Sequence, residues 1–152
     1  REKAMSRKRR SCMLAAPAAL LAVLVLCASC ANGTQSSAVP EYTLADLYGA
    51  AYVGNMSNLV TMTLTIADST GLHFTVQNST KTEPTIDADY YYLAVQNGTN
   101  DYTTYWYADA AAAAADTSDS HSKAVQYMRL GIDSLAQITA QAAMGTTTLT
   151  RQ

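Results

Sequence analysis

The segment between Val60 and Ile66 places the strongest constraint on the fold. Four apolar residues alternate strictly with three threonines there, and a period of two places the two sets on opposite faces of a β-strand. The turn-forming residues ADSTG follow, and a second alternating run lies between Leu72 and Val76. The pattern predicts a β-hairpin with one apolar face and one threonine-rich face.

A second hairpin is predicted around NGTND, because the runs YYYLAVQ and YTTYWYA flank these turn-forming residues. With a loop from Asn97 to Asp101, Gln96 lies opposite Tyr102, and this register sorts the side chains onto two faces. One face carries Tyr91, Leu93, Val95, Tyr105 and Tyr107. The other face carries Tyr90, Tyr92, Tyr102, Thr104 and Trp106. Between the two hairpins we expect no more than a short edge strand at Thr85–Ile86.

The region from Asp119 to Met144 has a helical pattern. Its apolar residues recur at spacings of three and four: Val125, Met128, Ile132, Leu135, Ile138 and Ala142. We therefore expect an amphipathic helix with an N-cap at Asp119, Ser120 or Ser122 and an end at Gly145. The preceding alanines, 110–115, suit a helix, a linker or both. A last strand is expected at Thr146–Thr150.

These elements favour an α+β fold, in which an antiparallel β-meander of about four to six strands carries one C-terminal amphipathic helix. A small closed β-barrel is the alternative. TLADLYGAAY suits a short helix with Thr43 as its N-cap. Gly49–Gly54 (GAAYVG) resembles the glycine-aromatic-glycine opening of small lipocalin-like β-meander lipoproteins, where a first strand follows a short helical turn. The resemblance implies a meander and leaves the ligand open.

The N-terminal region has the organisation of a secretory signal. Six of the ten basic residues lie in the first ten positions, and Met13–Ala28 is a run of sixteen uncharged residues ending in small side chains. This order of a basic region, an apolar region and a small-residue cleavage site is typical of exported proteins. The apolar run is shorter than the ~20 residues of a membrane-spanning helix and contains Pro17.

The sequence LCASC at 26–30 resembles the lipobox of bacterial lipoproteins, in which a cysteine after two small residues becomes diacylated. That resemblance implies lipidation at Cys30, which is the only cysteine left once residues 1–29 are removed. Residues 30–40 then form the lipid attachment site and a flexible tether, and residues 41–152 form one small domain. The ending TTTLTRQ leaves open that this domain is truncated. Ordinary signal-peptidase cleavage and a freely secreted protein are the alternative.

The charge of the mature part limits its partners. Residues 30–152 contain four basic and eleven acidic residues, a formal charge of −7. Nucleic-acid binding is not expected, because phosphate contacts need lysine and arginine. Membrane attachment at the extracytoplasmic face would depend on the acyl chains at Cys30.

The residues with catalytic or metal-binding potential are few, since the chain has two histidines and none of the common nucleotide-binding, zinc or hydrolase motifs. His73 beside Thr75 suits a general base or a surface histidine. His121 after Asp116 and Asp119 suits a metal ligand or, preferably, a helix N-terminus. Asp87 and Asp89, with Glu83, offer few ligands for calcium and better suit a solvated loop. We expect no cofactor, no metal and no enzymatic activity.

The aromatic hairpin is the strongest indication of function. Tyrosine and tryptophan suit sugar rings, peptides and partner surfaces, so the candidate ligand contacts are Tyr90, Tyr92, Tyr102 and Trp106, provided that their face is exposed. Packing in the core is the other interpretation. The sequence thus favours a membrane-anchored, non-enzymatic binding or interaction module for an envelope protein, peptide or glycan. A lipocalin-like carrier of a small apolar ligand is the alternative, and an envelope hydrolase using His73 or His121 comes last.

Overall fold

The computed structural model describes residues 38–152, which form a closed barrel of eight antiparallel strands. Each strand pairs with its neighbours in the sequence, and the last strand pairs with the first. The strands are β1 (Ala51–Ser57), β2 (Val60–Ile66), β3 (Gly71–Asn78), β4 (Ile86–Gly98), β5 (Asp101–Tyr107), β6 (Gln126–Ser134), β7 (Gln137–Ala142) and β8 (Gly145–Arg151). A 3-10 helix (Leu44–Leu47) precedes β1, and a short α-helix, α1 (Ala110–Ala114), lies between β5 and β6.

The closed β-barrel is confirmed, and the α+β meander with a C-terminal helix is wrong. Residues 119–144 form no helix and contain β6 and β7 instead. The helical spacing included Val125 and Leu135, which are exposed, and passed over Leu130, which is buried. Met128, Leu130 and Ile132 alternate with a period of two and all face the core. The strand pattern prevails because closing the sheet leaves no unpaired edge.

Both predicted hairpins are confirmed as β2–β3 and β4–β5. Gln96 lies opposite Tyr102, so the division of side chains between the two faces is also correct. The expected last strand lies within β8. The short edge strand expected at Thr85–Ile86 is instead the start of β4, where Ile86 pairs with Val76.

The interior of the barrel is filled by large side chains. Trp106, Tyr52, Phe74, Leu64 and Met128 are fully buried, and the rings of Phe74 and Trp106 meet edge to face with centroids 4.9 Å apart. The indole nitrogen of Trp106 donates to the Thr104 hydroxyl (2.9 Å), which donates to the carbonyl of Met128 (3.0 Å). A barrel of eight strands has an interior of about this capacity.

The glycine-aromatic-glycine segment has a structural explanation in the closure of the barrel. At Gly54, a Cβ atom would lie 2.2 Å from the carbonyl oxygen of Thr148 on β8, so only glycine lets the first and last strands approach this closely. Gly49 has a φ of +73°, between the 3-10 helix and β1. The fold therefore begins with the short helical turn and first strand that the resemblance implied.

Strand direction alternates around the barrel, so its two ends are built from different connections. One end, here called the closed end, contains the chain entry before β1 and the turns β2–β3, β4–β5 and β6–β7. The other, here called the open end, contains the connections β1–β2, β3–β4, β5–β6 and β7–β8.

Candidate functional site at the open end of the barrel

The 3-10 helix covers the closed end. Leu44 and Leu47 are buried against the barrel core. Thr43 is the N-cap of this helix, and its backbone N–H and hydroxyl both donate to the Asp46 carboxylate (2.7 and 2.9 Å). These hydrogen bonds hold the pKa of Asp46 below its usual range. The N-terminal segment is therefore a structural plug for this end.

Three interior tyrosines attach the barrel wall to the loops of the closed end. Tyr52 donates to the carbonyl of Leu135 (2.9 Å), and Tyr92 donates to that of Asp68 (2.8 Å). Tyr102 donates to the carbonyl of Tyr42 (3.2 Å). Burial raises the pKa of Tyr92 far above its usual range and also raises that of Tyr52.

Asn100 in the β4–β5 turn fixes the chain entry to the same end. Its side-chain oxygen accepts from the backbone N–H of Tyr42 (2.6 Å), and its amide nitrogen donates to the carbonyl of Pro40 (2.8 Å). The residue has a φ of +59°, which asparagine tolerates better than most residues. Every loop at the closed end is thus tied to the barrel or to the N-terminal segment.

The open end is apolar and only partly covered. The core continues there into residues that are half-buried: Met56, Val60, Ile86 and Ala142. Three of the four connections around it each present a large exposed apolar side chain, with exposed fractions of 54% for Leu59, 62% for Val125 and 64% for Met144. Apolar side chains gathered at a concave opening are typical of a ligand entrance.

A groove of about 950 Å³ runs from this opening onto the outer face of β5 and β6. Apolar residues from three connections line it at the opening, among them Ile86, Val125 and Met144. Farther out it is lined by His121 and by two tyrosines, Tyr105 and Tyr127. The volume is within the range of small-molecule sites, about 300–1,000 Å³.

The wall of the groove is held by hydrogen bonds inside the β5–β6 connection. Buried Tyr107 places its hydroxyl 3.0 Å from Nδ1 of His121 and 3.3 Å from Oδ2 of buried Asp116. Hydrogen bonds, chiefly from the hydroxyl of Ser118, hold the pKa of Asp116 below its usual range. The imidazole stacks on Tyr105 with ring centroids 3.9 Å apart. His121 is therefore fixed by both neighbours on β5.

The one arginine among the residues lining the groove is neutralised. Arg129 forms a two-pronged ion pair with Asp101, with Nε donating to Oδ1 over 2.8 Å and a second bond between NH2 and Oδ2. The pair lowers the pKa of Asp101 and raises that of Arg129. The groove therefore offers an apolar and aromatic surface without an unpaired cation among its lining residues.

The structure corrects the proposed contact surface of the aromatic hairpin. Tyr92, Tyr102 and Trp106 face the barrel interior and are buried, so they do not form an exposed surface. They pack there because the barrel needs large side chains to fill it. Tyr90 is the exception, because it is only half-buried, with its ring centroid 5.3 Å from that of Trp106. Contact of Tyr90 with a ligand stays a prediction.

The other candidate residues divide into two clusters. His73 on β3 lies between two carboxylates of β4, with Nε2 3.1 Å from Asp87 and Nδ1 2.8 Å from Asp89. Both ring nitrogens are thus engaged, which leaves no free nitrogen for a general base. Asp116 and His121 come together through Tyr107, which the sequence did not indicate, and Asp119 is exposed. The helix-cap interpretation of His121 is wrong, because no helix begins there.

Several expected features lie outside the described residues. The signal segment, Cys30 and all of the tether before Ala38 belong to this part of the chain. Within residues 38–152, no group of three or more His, Cys, Asp or Glu side chains could hold a metal ion. In the same range, no helix has the length and hydropathy to cross a membrane.

Comparison with known proteins gives no relative: no family model matches the chain, and no curated protein or solved structure is significantly similar to it.

Proposed function

We propose that the domain is a non-enzymatic binding barrel that carries one small, uncharged, mainly apolar ligand at its open end. The observation that supports this most directly is the difference between the ends, since hydrophobic and hydrogen-bonded residues plug one end and the other opens into the 950 Å³ groove. Closed antiparallel barrels of eight strands are the architecture of the lipocalins, which hold small ligands at or inside the barrel mouth. The similarity between this domain and the lipocalins concerns the barrel architecture only.

The packing of the interior determines how deep such a ligand would sit. Trp106, Tyr92 and Phe74 occupy the middle of the barrel and are fully or almost fully buried. A ligand would therefore lie against Ile86, between Val125 and Met144, instead of in a deep central cavity. Apolar contacts there would supply the binding free energy, about 25 cal/mol for each Å² removed from water.

The electrostatics of the groove favour a neutral ligand over an ionic one. Arg129 is already paired with Asp101, and the domain as a whole has an excess of acidic residues. An anionic ligand would find no unpaired cation on the described lining, and a cationic ligand would find no carboxylate there. Burying either charge would be costly without a partner.

The only tryptophan of the chain provides the assay. Trp106 is inside the barrel, in ring contact with Tyr90, so an apolar fluorophore such as N-phenyl-1-naphthylamine bound at the open end should quench its emission. The variant pair Val125→Asp and Met144→Asp should raise the Kd by about tenfold or more, since tenfold corresponds to only about 1.4 kcal/mol. The control is Leu135→Asp, at an exposed apolar site of the closed end.

Three results are informative. Quenching that saturates and is weakened only by the open-end variants supports the proposal. Absence of saturable binding in the wild-type domain contradicts it. Equal weakening by Leu135→Asp also contradicts it, because the ligand would then not select the open end.

We propose further that the barrel is exported and held at the extracytoplasmic face of a membrane through a lipid on Cys30. The support is the lipobox-like LCASC segment after a signal-like N-terminus. Intact mass of the protein extracted from membranes should show an N-terminal diacylated Cys30. A soluble product cleaved at another residue would contradict the anchor without affecting the proposed binding function.

A further inference from the structure

We propose that His121 is the polar recognition residue of the groove, and that the ligand carries a hydroxyl or N–H group that donates a hydrogen bond to its Nε2. This inference rests on the proposed function and specifies the class of ligand as a neutral amphipathic molecule with one donor on an apolar body. Which ring nitrogen of His121 carries the proton decides which one can accept a hydrogen bond.

The hydrogen bonds of Asp116 determine that proton position. Its carboxylate accepts from the Ser118 hydroxyl (2.7 Å) and from the backbone N–H of Lys123 (2.8 Å). An ionised carboxylate only accepts, so the Tyr107 hydroxyl is the donor in its hydrogen bond to Asp116, and we assign its hydrogen atom to that bond. The Tyr107 oxygen then accepts from Nδ1–H of His121 over 3.0 Å.

Neutral His121 is therefore protonated on Nδ1 and has an acceptor at Nε2. Among the residues that the structure describes, Nε2 makes no hydrogen bond, whereas both ring nitrogens of His73 are engaged. The imidazole lines the groove while its Nδ1 edge is held by Tyr107. The remaining acceptor edge is thus available to a bound molecule.

The backbone of His121 is consistent with a positioned side chain. Its φ is +49°, a left-handed conformation that is uncommon outside glycine and that histidine, asparagine and aspartate adopt more often than other residues. The conformation is maintained by hydrogen bonds from His121 N to Ser118 O and from Ala124 N to His121 O, both 3.1 Å. Residues held in sparsely populated conformations are concentrated at binding and catalytic sites.

Polar and charged groups from three elements surround the imidazole. From β5 it is packed against Tyr105 and Tyr107, and β6 contributes Tyr127 and the paired Arg129 to the same groove. Its own connection contributes Asp116, exposed Asp119 and Lys123. Protonation of the ring would convert Nε2 into a donor, which reverses the group that it recognises.

The test compares two probes, 2-naphthalenemethanol and its methyl ether, of which only the alcohol can donate a hydrogen bond and the ether carries one additional methyl group. Both are titrated against the wild-type domain through Trp106 emission. At pH 8.5 the alcohol should bind about threefold to tenfold more tightly, as expected for one additional hydrogen bond.

The variants isolate the residue responsible. His121→Asn retains the positive φ but is too short to replace Nε2, so it should bind both probes equally at the same pH. His73→Asn, at the other histidine, should retain the wild-type preference. Tyr107→Phe should reduce the preference, since the Nδ1 proton is then no longer fixed.

The outcomes separate this inference from the proposed function. If both probes bind but His121→Asn keeps the preference for the alcohol, or the wild type shows none at pH 8.5, the role of His121 is overturned and the binding function stands. If neither probe binds to the wild type, both proposals fail.

Discussion

The two ends of this barrel differ in how their polar atoms are used. At the closed end, three tyrosine hydroxyls and the Asn100 amide all bond to backbone groups of loops or the N-terminal segment. At the open end, half-buried apolar side chains adjoin the exposed side chains of Leu59, Val125 and Met144. The polar side chains of Asp116, Tyr107 and His121 are hydrogen-bonded to one another there. Hydrogen bonds and a hydrophobic plug thus hold one end of the barrel, and the other end is the one that we propose binds a ligand.

The largest difference between the ends is expected for loss of the plug. Leu47 is fully buried, so Leu47→Ala should lower the free energy of unfolding by about 2–5 kcal/mol. Leu59→Ala at the open rim should change it by no more than about 0.5 kcal/mol. Urea unfolding followed by Trp106 emission measures both, and equal losses would contradict the assignment of the plug.

The tyrosine hydroxyls of the closed end should have smaller effects. Tyr52→Phe and Tyr92→Phe each leave a loop carbonyl without its donor, which should cost about 1 kcal/mol. Tyr127→Phe, at an exposed tyrosine on the outer face of β6, is the matched control and should be neutral. Unfolding free energies that do not separate Tyr92 from Tyr127 would show that the closed-end hydrogen bonds are dispensable.

Alkaline pH should weaken the closed end first. Burial raises the pKa of Tyr92 in the folded state above the unfolded value of about 10. The folded state therefore holds its proton more tightly, and the stabilisation is complete below pH 10 and is lost as the pH rises above it. Tyr92→Phe should flatten this alkaline decline in unfolding free energy. An unchanged pH profile in the variant would contradict the assignment of the decline to Tyr92.

The smallest effect on stability, but not on binding, is expected at the rim. Val125→Asp and Met144→Asp alter exposed side chains, so the thermal midpoint should shift by no more than a few degrees. A thermal melt beside the binding titration checks this. A large loss of stability would mean that the rim residues belong to the packed structure.

The hairpins could be predicted from sequence because their information is local. Between Val60 and Ile66, each apolar residue is separated from the next by one threonine, and the Asn-Gly turn fixes the β4–β5 register. The resemblance at Gly49–Gly54 also indicated a short helical turn followed by a strand.

Residues 119–144 could not be assigned in the same way. Met128 and Ile132 satisfy both a helical spacing and a strand spacing, and only the pairing with β5 and the closure of β8 on β1 select the strand. The candidate site was missed for a related reason. Tyr107 lies on a strand and His121 in the long connection that follows it, and no local pattern indicates that their side chains meet. The sequence pattern groups Asp116 with His121 only as metal ligands or as part of a helix N-terminus.

The most direct test of the account is amide chemical-shift mapping of the domain with N-phenyl-1-naphthylamine. Binding at the open end predicts saturable shifts at Ile86, Val125 and Met144, with residues Leu44–Leu47 and the β6–β7 turn unchanged. Shifts concentrated at the closed end, or none at all, would contradict the conclusion that the open end is the binding site.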